Sequence, residues 1–351
     1  MKYSLLVTLL FSTLCSSVFG QYRQRELNGY TVFTIPFPGE SPRDSITFAV
    51  VAKPGELAKK KPIFLFRQGS LPIPLFTINP KTNRPSLTQL PITCYDHEVD
   101  QYSITIAKPG IPLIVDDAYL DTLFSTRNNP KQAMYPATYL THNYLDYYVR
   151  QTNAVLDFVL KQPWANAKRV VLAGGSEGYH VGIKTAYTNR KVTHLIAFSG
   201  GLEGRHQGII RIERTKGYTG EYTQEEVQQS VENLQNEWAE ICRDSLNVLG
   251  TTGDPNRTTY SFSHGNNLTY LLSLTIPIYI AYGGADVGST SNDILPLEFA
   301  RRGKTNLTLR VYPNHDHTFH KLTYGSDRKV VKEEYNGVAV EKDYFEWLRV
   351  H

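Results

Sequence analysis

Val170-Val171-Leu172-Ala173-Gly174-Gly175-Ser176-Glu177-Gly178 is the stretch on which the reading of this chain turns. Four consecutive apolar residues, two of them β-branched, fit a strand buried on both faces. Two glycines break the run, and a helix-compatible segment then continues to Tyr187. Gly-x-Ser-x-Gly alone is a weak pattern, because small residues gather at any turn. Between a buried strand and a helix it reads as a nucleophile elbow. The serine sits in strained backbone on a sharp turn, and glycine two residues to either side lets strand and helix approach closely. Ser176 is therefore the expected nucleophile.

The rest of the chain repeats this alternation. Residues 62–66, 103–107, 195–198, 276–281 and 307–311 read as further strands, the first of them continuously apolar. Residues 30–35 and 45–52 read as an antiparallel start broken by the turn at Pro38-Gly39. From residue 142 to about 162 the pattern is helical: Tyr144, Tyr148, Val155, Phe158, Val159 and Leu160 recur mostly at three- and four-residue steps. A last amphipathic helix carries Tyr344, Phe345, Trp347 and Leu348. Strands alternating with helices predict the α/β class, with a mostly parallel, doubly wound sheet flanked by helices. The interval between Phe198 and Ile276 is too long for one crossover helix. A helical cap insertion is expected at about residues 202–270, within one domain covering 21–351. Val227, Val231, Leu234 and Trp238 form one helix face there, expected to cover Ser176 as a lid.

The elbow and this strand pattern resemble the α/β-hydrolase superfamily, whose triad runs in the order Ser, acid, His. The resemblance covers about residues 30–350. The strand after the cap ends in Gly283-Gly284-Ala285-Asp286, which matches Asp286 to the family's acid. By itself Asp286 also reads as a turn or N-cap aspartate. The loop after the last long strand, His315-Asp316-His317-Thr318-Phe319-His320, offers three histidines. The family pattern of His followed two residues later by Phe selects His317, leaving His315 and His320 at the surface or behind the site. The resemblance implies a serine attack assisted by His317 as base, with Asp286 holding the imidazole. It also implies an oxyanion hole. The first donor would be the Glu177 N–H; the second would come from Arg67-Gln68-Gly69-Ser70-Leu71, with the Ser70 N–H first in line and Leu71 next. Gln68 stands where relatives commonly have His. Glu203 is a substitute candidate for the acid, and His180 is expected to pack on the helix after the elbow.

Three readings of function follow: a serine hydrolase of carboxylic esters or thioesters, a serine peptidase of aminopeptidase type, or an inactive hydrolase fold used for binding. An aminopeptidase would need a carboxylate for the substrate amine, and Glu203, Glu213, Glu225 and Glu226 are the candidates. The expected partner is a small molecule or short peptide, with no cofactor and no metal. A net charge of +4 is too mild to argue for nucleic acid, and apolar residues at 41% against 20% charged exclude disorder. Lys2, the apolar run 5–14 and the small residue at Gly20 read as a secretory signal over residues 1–20. That predicts a mature chain starting at Gln21, secreted or periplasmic, without stable membrane insertion. Cys15 is not in a lipobox, since Leu14 precedes it. Cys94 and Cys242 are left either to pair or to stay as buried thiols. Asn-x-Thr triplets stand at Asn256, Asn267 and Asn306.

Overall fold

Alternation of period two decides which way each central strand faces. In the computed structural model, Ile63 and Leu65 point into one core layer and Phe64 into the other. The structure describes residues 22–37, 44–52, 55–97, 100–127, 135–249 and 254–351, with backbone only at 124–127. The signal reading of residues 1–20 and the turn at Pro38-Gly39 lie outside them.

Strands β1 (Arg23–Leu27), β2 (Tyr30–Pro36) and β3 (Ser45–Val51) form an antiparallel edge. Asn28 and Gly29, both at positive φ, close the β1–β2 hairpin. Strand β4 (Lys61–Arg67) is followed by the outlying β5 (Phe76–Asn79) and β6 (Arg84–Leu87). Then come β7 (Tyr102–Ile106) and β8 (Ile114–Val115), the latter pairing with β5. Helices α1 (Asp117–Arg127), α2 (Ala137–His142) and α3 (Leu145–Val159) lead to β9 (Ala165–Gly175) and α4 (Glu177–Thr188). The helix expected over residues 142 to about 162 is α3, shorter at both ends, and the extended backbone of Tyr144 separates it from α2.

After β10 (His194–Phe198) the chain makes α5 (Arg205–Thr219), α6 (Gln224–Arg243), α7 (Asn256–Ser263) and α8 (Asn267–Ser273). It returns through β11 (Ile278–Gly283), α9 (Leu295–Arg301) and β12 (Leu307–Tyr312). An exposed hairpin, β13 (His320–Tyr324) and β14 (Val330–Tyr335), precedes α10 (Gly337–Val350).

The main sheet has nine strands in the order β1-β2-β3-β7-β4-β9-β10-β11-β12, and the last six are mutually parallel. Helices α3, α4 and α9 bury one face, with Val155, Ile183 and Phe299 against the strands. Helix α10 buries the other with Tyr344, Phe345, Trp347 and Leu348. Parallel strands bring their carboxyl ends to one edge, so the loops after β4, β7, β9, β11 and β12 meet there.

In the insertion, Thr223 and Glu226 form a reciprocal capping box that starts α6. Val227 and Val231 of α6 are buried, and Trp238 stacks between His206 and Tyr260 at 5.3 and 5.8 Å. This face therefore packs on α5 and α7, while Gly208, Ile209 and Ile212 of α5 border the cleft at Ser176. Cys94 is buried, Cys242 is exposed, and both are free thiols. Asn267 is also buried, its amide donating to the Gly201 carbonyl at 3.2 Å. Among the described residues no helix is long and apolar enough to cross a membrane.

The β4–β9–α4 junction leaves no room for a side chain. A Cβ at Gly178 would lie 2.0 Å from the Arg67 carbonyl oxygen, and one at Gly174 would lie 2.1 Å from that of Gly178. Gly178→Ala is expected to destabilise the protein by about 1–3 kcal/mol through overpacking. Gly208→Ala, mid-helix and with nothing within 4 Å, should be neutral or stabilising by about 0.5–1 kcal/mol. Urea unfolding of the two variants checks the contrast.

Candidate active site

Ser176 sits between β9 and α4 at φ 54° and ψ −116°, a conformation that L-residues rarely adopt. It is held by its own N–H donating to the Phe198 carbonyl at 3.0 Å and by Tyr179 N–H donating to its carbonyl at 3.0 Å. These bonds and the close glycine contacts fix the side chain at the sheet edge.

Asp286 follows β11 and His317 follows β12, and the two loops are stitched together. Gly284 N–H donates to the Tyr312 carbonyl at 2.8 Å, and Ala285 N–H to the His315 carbonyl at 2.9 Å. The approach is close enough that a Cβ at Gly283 would meet the His315 oxygen at 2.2 Å. Asp316 shapes the histidine loop by accepting the N–H groups of Thr318 at 2.9 Å and His320 at 2.8 Å. The Ser176 hydroxyl lies 3.1 Å from His317 Nε2, and His317 Nδ1 lies 2.8 Å from Asp286 Oδ2. Ser289 Oγ donates to the same Asp286 oxygen at 2.6 Å. This network assigns the proton to Nδ1 and leaves Nε2 as the acceptor for the serine. In that arrangement the imidazole can take the hydroxyl proton.

Two cavities meet at Ser176. The larger, about 580 Å³, runs toward α10 and is walled by Phe66, Phe198, Phe319, Tyr335, Val340 and Tyr344. Gln68 and Ser199 border it, and their buried side-chain polar atoms have no hydrogen-bond partner among the described residues. The smaller, about 220 Å³, lies under α5 and is bordered by Glu203, Arg205, Asp286 and His317.

Beneath the elbow is a buried ionic cluster. Lys108, just past β7, donates to Glu177 Oε1 at 2.7 Å and to the Ser70 carbonyl at 3.1 Å. Tyr139 also donates to the Ser70 carbonyl, at 2.9 Å. Arg205 donates to Glu177 Oε2 at 3.0 Å and pairs with Asp254. The Lys108 and Glu177 side chains are almost fully buried. Burial alone would push the Glu177 carboxyl up, but Lys108 and Arg205 outweigh it and hold the pKa below its ordinary value. Burial pulls Lys108 below its usual range while Glu177 opposes that pull. Arg67 is pushed down by burial to about 10, which leaves it charged at neutral pH; it donates to Gln151 at 3.1 Å and lies over Tyr148.

No protein-family model and no curated protein matches this sequence. Solved structures do. A protein assigned as a dipeptidyl aminopeptidase IV from Bacteroides ovatus superposes with a TM-score of 0.52 at 12% identity, over 92% of this chain and 36% of its own. This chain thus spans about a third of that protein's length. An acetyl xylan esterase from Paenibacillus sp. R4 gives 0.50 at 13% identity, over 94% and 88%. A protein assigned as a dienelactone hydrolase from Klebsiella pneumoniae gives 0.50 at 11%, over 92% and 98%. The chain has the α/β-hydrolase fold.

On that fold the structure brings Ser176, His317 and Asp286 together. Of the three neighbouring histidines, His317 is the one at the serine. His315 is buried rather than exposed, because its ring is fixed between the Pro313 carbonyl at 2.8 Å and the Asn336 amide at 2.9 Å. His320 bonds Thr318 Oγ1 at 2.8 Å. Glu203 is paired with Arg211. Glu213 bonds Lys216 and Ser230, and Glu225 and Glu226 stand in the first turn of α6. His180 is buried, bonds Asn267 at 2.8 Å, and is pulled down to about 4 by burial. Among the described residues no group of three or more His, Cys, Asp or Glu is placed to hold a metal ion. Ser70 and Glu177 border the smaller cavity beside Ser176. Sequence reasoning missed Lys108, Arg205 and Tyr139.

The hydrogen bond that His317 donates to Asp286 raises the His317 pKa above the ordinary value of 6.5, against the opposing pull of burial. The imidazolium therefore persists to higher pH than in a free histidine, and neutral His317 is lost as pH falls through that raised value. NMR titration of the His317 ring should place its midpoint above 6.5 in the native protein and lower it in Asp286→Asn.

Proposed function

We propose that this protein is a serine hydrolase that cleaves a carboxylic ester through an acyl-enzyme on Ser176. The observation that carries the reading is the continuous Ser176–His317–Asp286 hydrogen-bonded chain at the sheet edge. Ser176 Oγ attacks the ester carbonyl carbon while His317 Nε2 takes the hydroxyl proton. Asp286 holds the tautomer and stabilises the imidazolium. The tetrahedral oxyanion is received by the Glu177 N–H and an N–H of Ser70 or Leu71. Its collapse breaks the bond to the alcohol, which leaves with the proton from Nε2. Water, deprotonated by the same nitrogen, then attacks the acyl-enzyme and releases the carboxylic acid and Ser176.

The fold is shared with proteins described as an esterase, a lactone hydrolase and a peptidase, so it fits hydrolysis and is silent on which bond is cut. The ester reading rests on the charges at the cleft. An aminopeptidase needs a carboxylate free to bind an α-ammonium. Glu203 is engaged by Arg211, and Glu177 by Lys108 and Arg205. Glu341, on the larger cavity, accepts the N–H and hydroxyl of Thr93 at 2.9 and 2.8 Å, and burial pushes its pKa up. The aromatic wall of that cavity suits an apolar group of small or medium size. With residues 1–20 read as a leader, the enzyme would act outside the cytoplasm, on a small molecule and without a cofactor.

The purified protein is expected to hydrolyse p-nitrophenyl esters of graded acyl length faster than aminoacyl p-nitroanilides. Ser176→Ala or His317→Ala should lower turnover at least about 10⁴-fold. Fluorophosphonate labelling should vanish in Ser176→Ala. Turnover of anilides with no hydrolysis of any ester would replace the ester reading with the peptidase one. Absence of labelling in the folded native protein would overturn the nucleophile itself and favour a binding module.

A further inference from the structure

The buried cluster has a feature that charge neutralisation alone does not require: one ammonium reaches both halves of the oxyanion site. Lys108 Nζ holds the side chain of Glu177, whose backbone N–H is the donor after the nucleophile, at 2.7 Å. It also holds the carbonyl of Ser70, in the loop that supplies the other donor, at 3.1 Å. The two segments come from different strands, one following β4 and the other β9, and lie far apart in sequence. We propose that Lys108 is a positioning residue that locks the Ser70–Leu71 peptide and the start of α4 into one rigid oxyanion cradle. This rests on the serine-hydrolase reading given above.

Three observations support the role. First, all peptide bonds of the described residues are trans, so a bond held by its Ser70 oxygen has its Leu71 N–H aimed the opposite way. Lys108 and Tyr139 together thus set the direction of that peptide's dipole. Second, the loop lies against the nucleophile, since a Cβ on Gly69 would stand 3.4 Å from Ser176 Cβ. A small movement of this loop would therefore change the space at the serine. Third, the Glu177 carboxylate at the start of α4 is gripped from two sides, by Lys108 at 2.7 Å and by Arg205 at 3.0 Å. The ammonium cannot wander, because its side chain is packed beside the Tyr148 and Tyr139 rings at 5.0 and 5.8 Å.

The experiment measures Ser176 phosphonylation by a fluorophosphonate, which needs no knowledge of the natural substrate. Native protein, Lys108→Met, Tyr139→Phe and the double variant Lys108→Met/Glu177→Gln are compared for the reversible constant KI and the bond-forming rate kinact. The double variant removes one charge of each sign, so it keeps the net charge and leaves no unpaired carboxylate. A displaced oxyanion cradle should lower kinact about 10–100-fold in both Lys108 variants, with KI changed less than about twofold. Tyr139→Phe, which keeps the ring and loses one donor to Ser70, should lower kinact about 3–10-fold. Native kinact in the Lys108 variants, or an equal loss in KI and kinact, would overturn the proposal. If the Lys108 variants do not fold, Tyr139→Phe decides, and a native kinact there overturns it. Failure of the native protein itself to label would instead defeat the serine-hydrolase reading, so the two failures are separable.

Discussion

Three backbone segments meet at the elbow with no space for a Cβ between them. The Arg67 carbonyl, the Gly174 backbone and the Gly178 backbone touch, and Ser176 between the two glycines takes positive φ. Everything at the site is referred to this contact. The end of β4 lies against the start of α4, so the Gln68–Leu71 loop is delivered beside the serine. The glycine pair permits the approach, and the close packing that results denies the turn other conformations. The strain at Ser176 is sustained by a sheet whose central strands are buried on both faces.

A second contact of the same kind sets the positions of Asp286 and His317. Gly283 and the His315 carbonyl approach as closely as the elbow segments do, and the bonds from Gly284 and Ala285 tie the loop of the acid to the loop of the histidine. Asp286 and His317 therefore move as one body. Asp316 and the buried His315 hold that body in shape from behind, which is one of the two places the sequence left open for His315. With Ser176 fixed by one contact and the Asp286–His317 pair by the other, the 3.1 Å gap between Oγ and Nε2 follows from packing.

Ser176 was legible from its place between a buried strand and a helix, whereas Asp286 and His317 were picked out by the resemblance; the structure brings the three side chains together. The parallel strands were legible from their apolar runs. Where the pattern was silent, the reason is physical. Strand β1 lacks buried positions, although Asn28-Gly29 is a strong hairpin signal that could have revealed it. The β13–β14 hairpin is half- or fully exposed along its length, so it has no alternation to read. The α6 face was recognised as apolar, but periodicity cannot name its partner, and the structure turns it toward α5 and α7. Lys108 before Pro109-Gly110 reads as an exposed turn lysine. Only the fold shows that the turn is covered by α2 and α3, with Tyr139 and Tyr148 closing over the ammonium.

That burial runs against the general economy of protein cores. An ion pair taken out of water loses solvation that its mutual attraction often fails to recover, so an apolar pair of the same shape commonly serves stability as well or better. Here the Lys108 and Glu177 side chains are almost fully buried under the turn that carries Ser176, and Arg205, itself partly exposed, reaches the same carboxylate. Their geometry explains why an apolar substitute would not be equivalent. Dispersion contacts are tolerant of direction, whereas the bonds from Lys108 fix an angle as well as a distance, to a carboxylate on one segment and a carbonyl on another. The oxyanion cradle proposed above, in which two backbone segments present N–H groups to a single oxygen, would need that directional control. The elbow contact brings the segments together, and the buried charges set the orientation in which they meet.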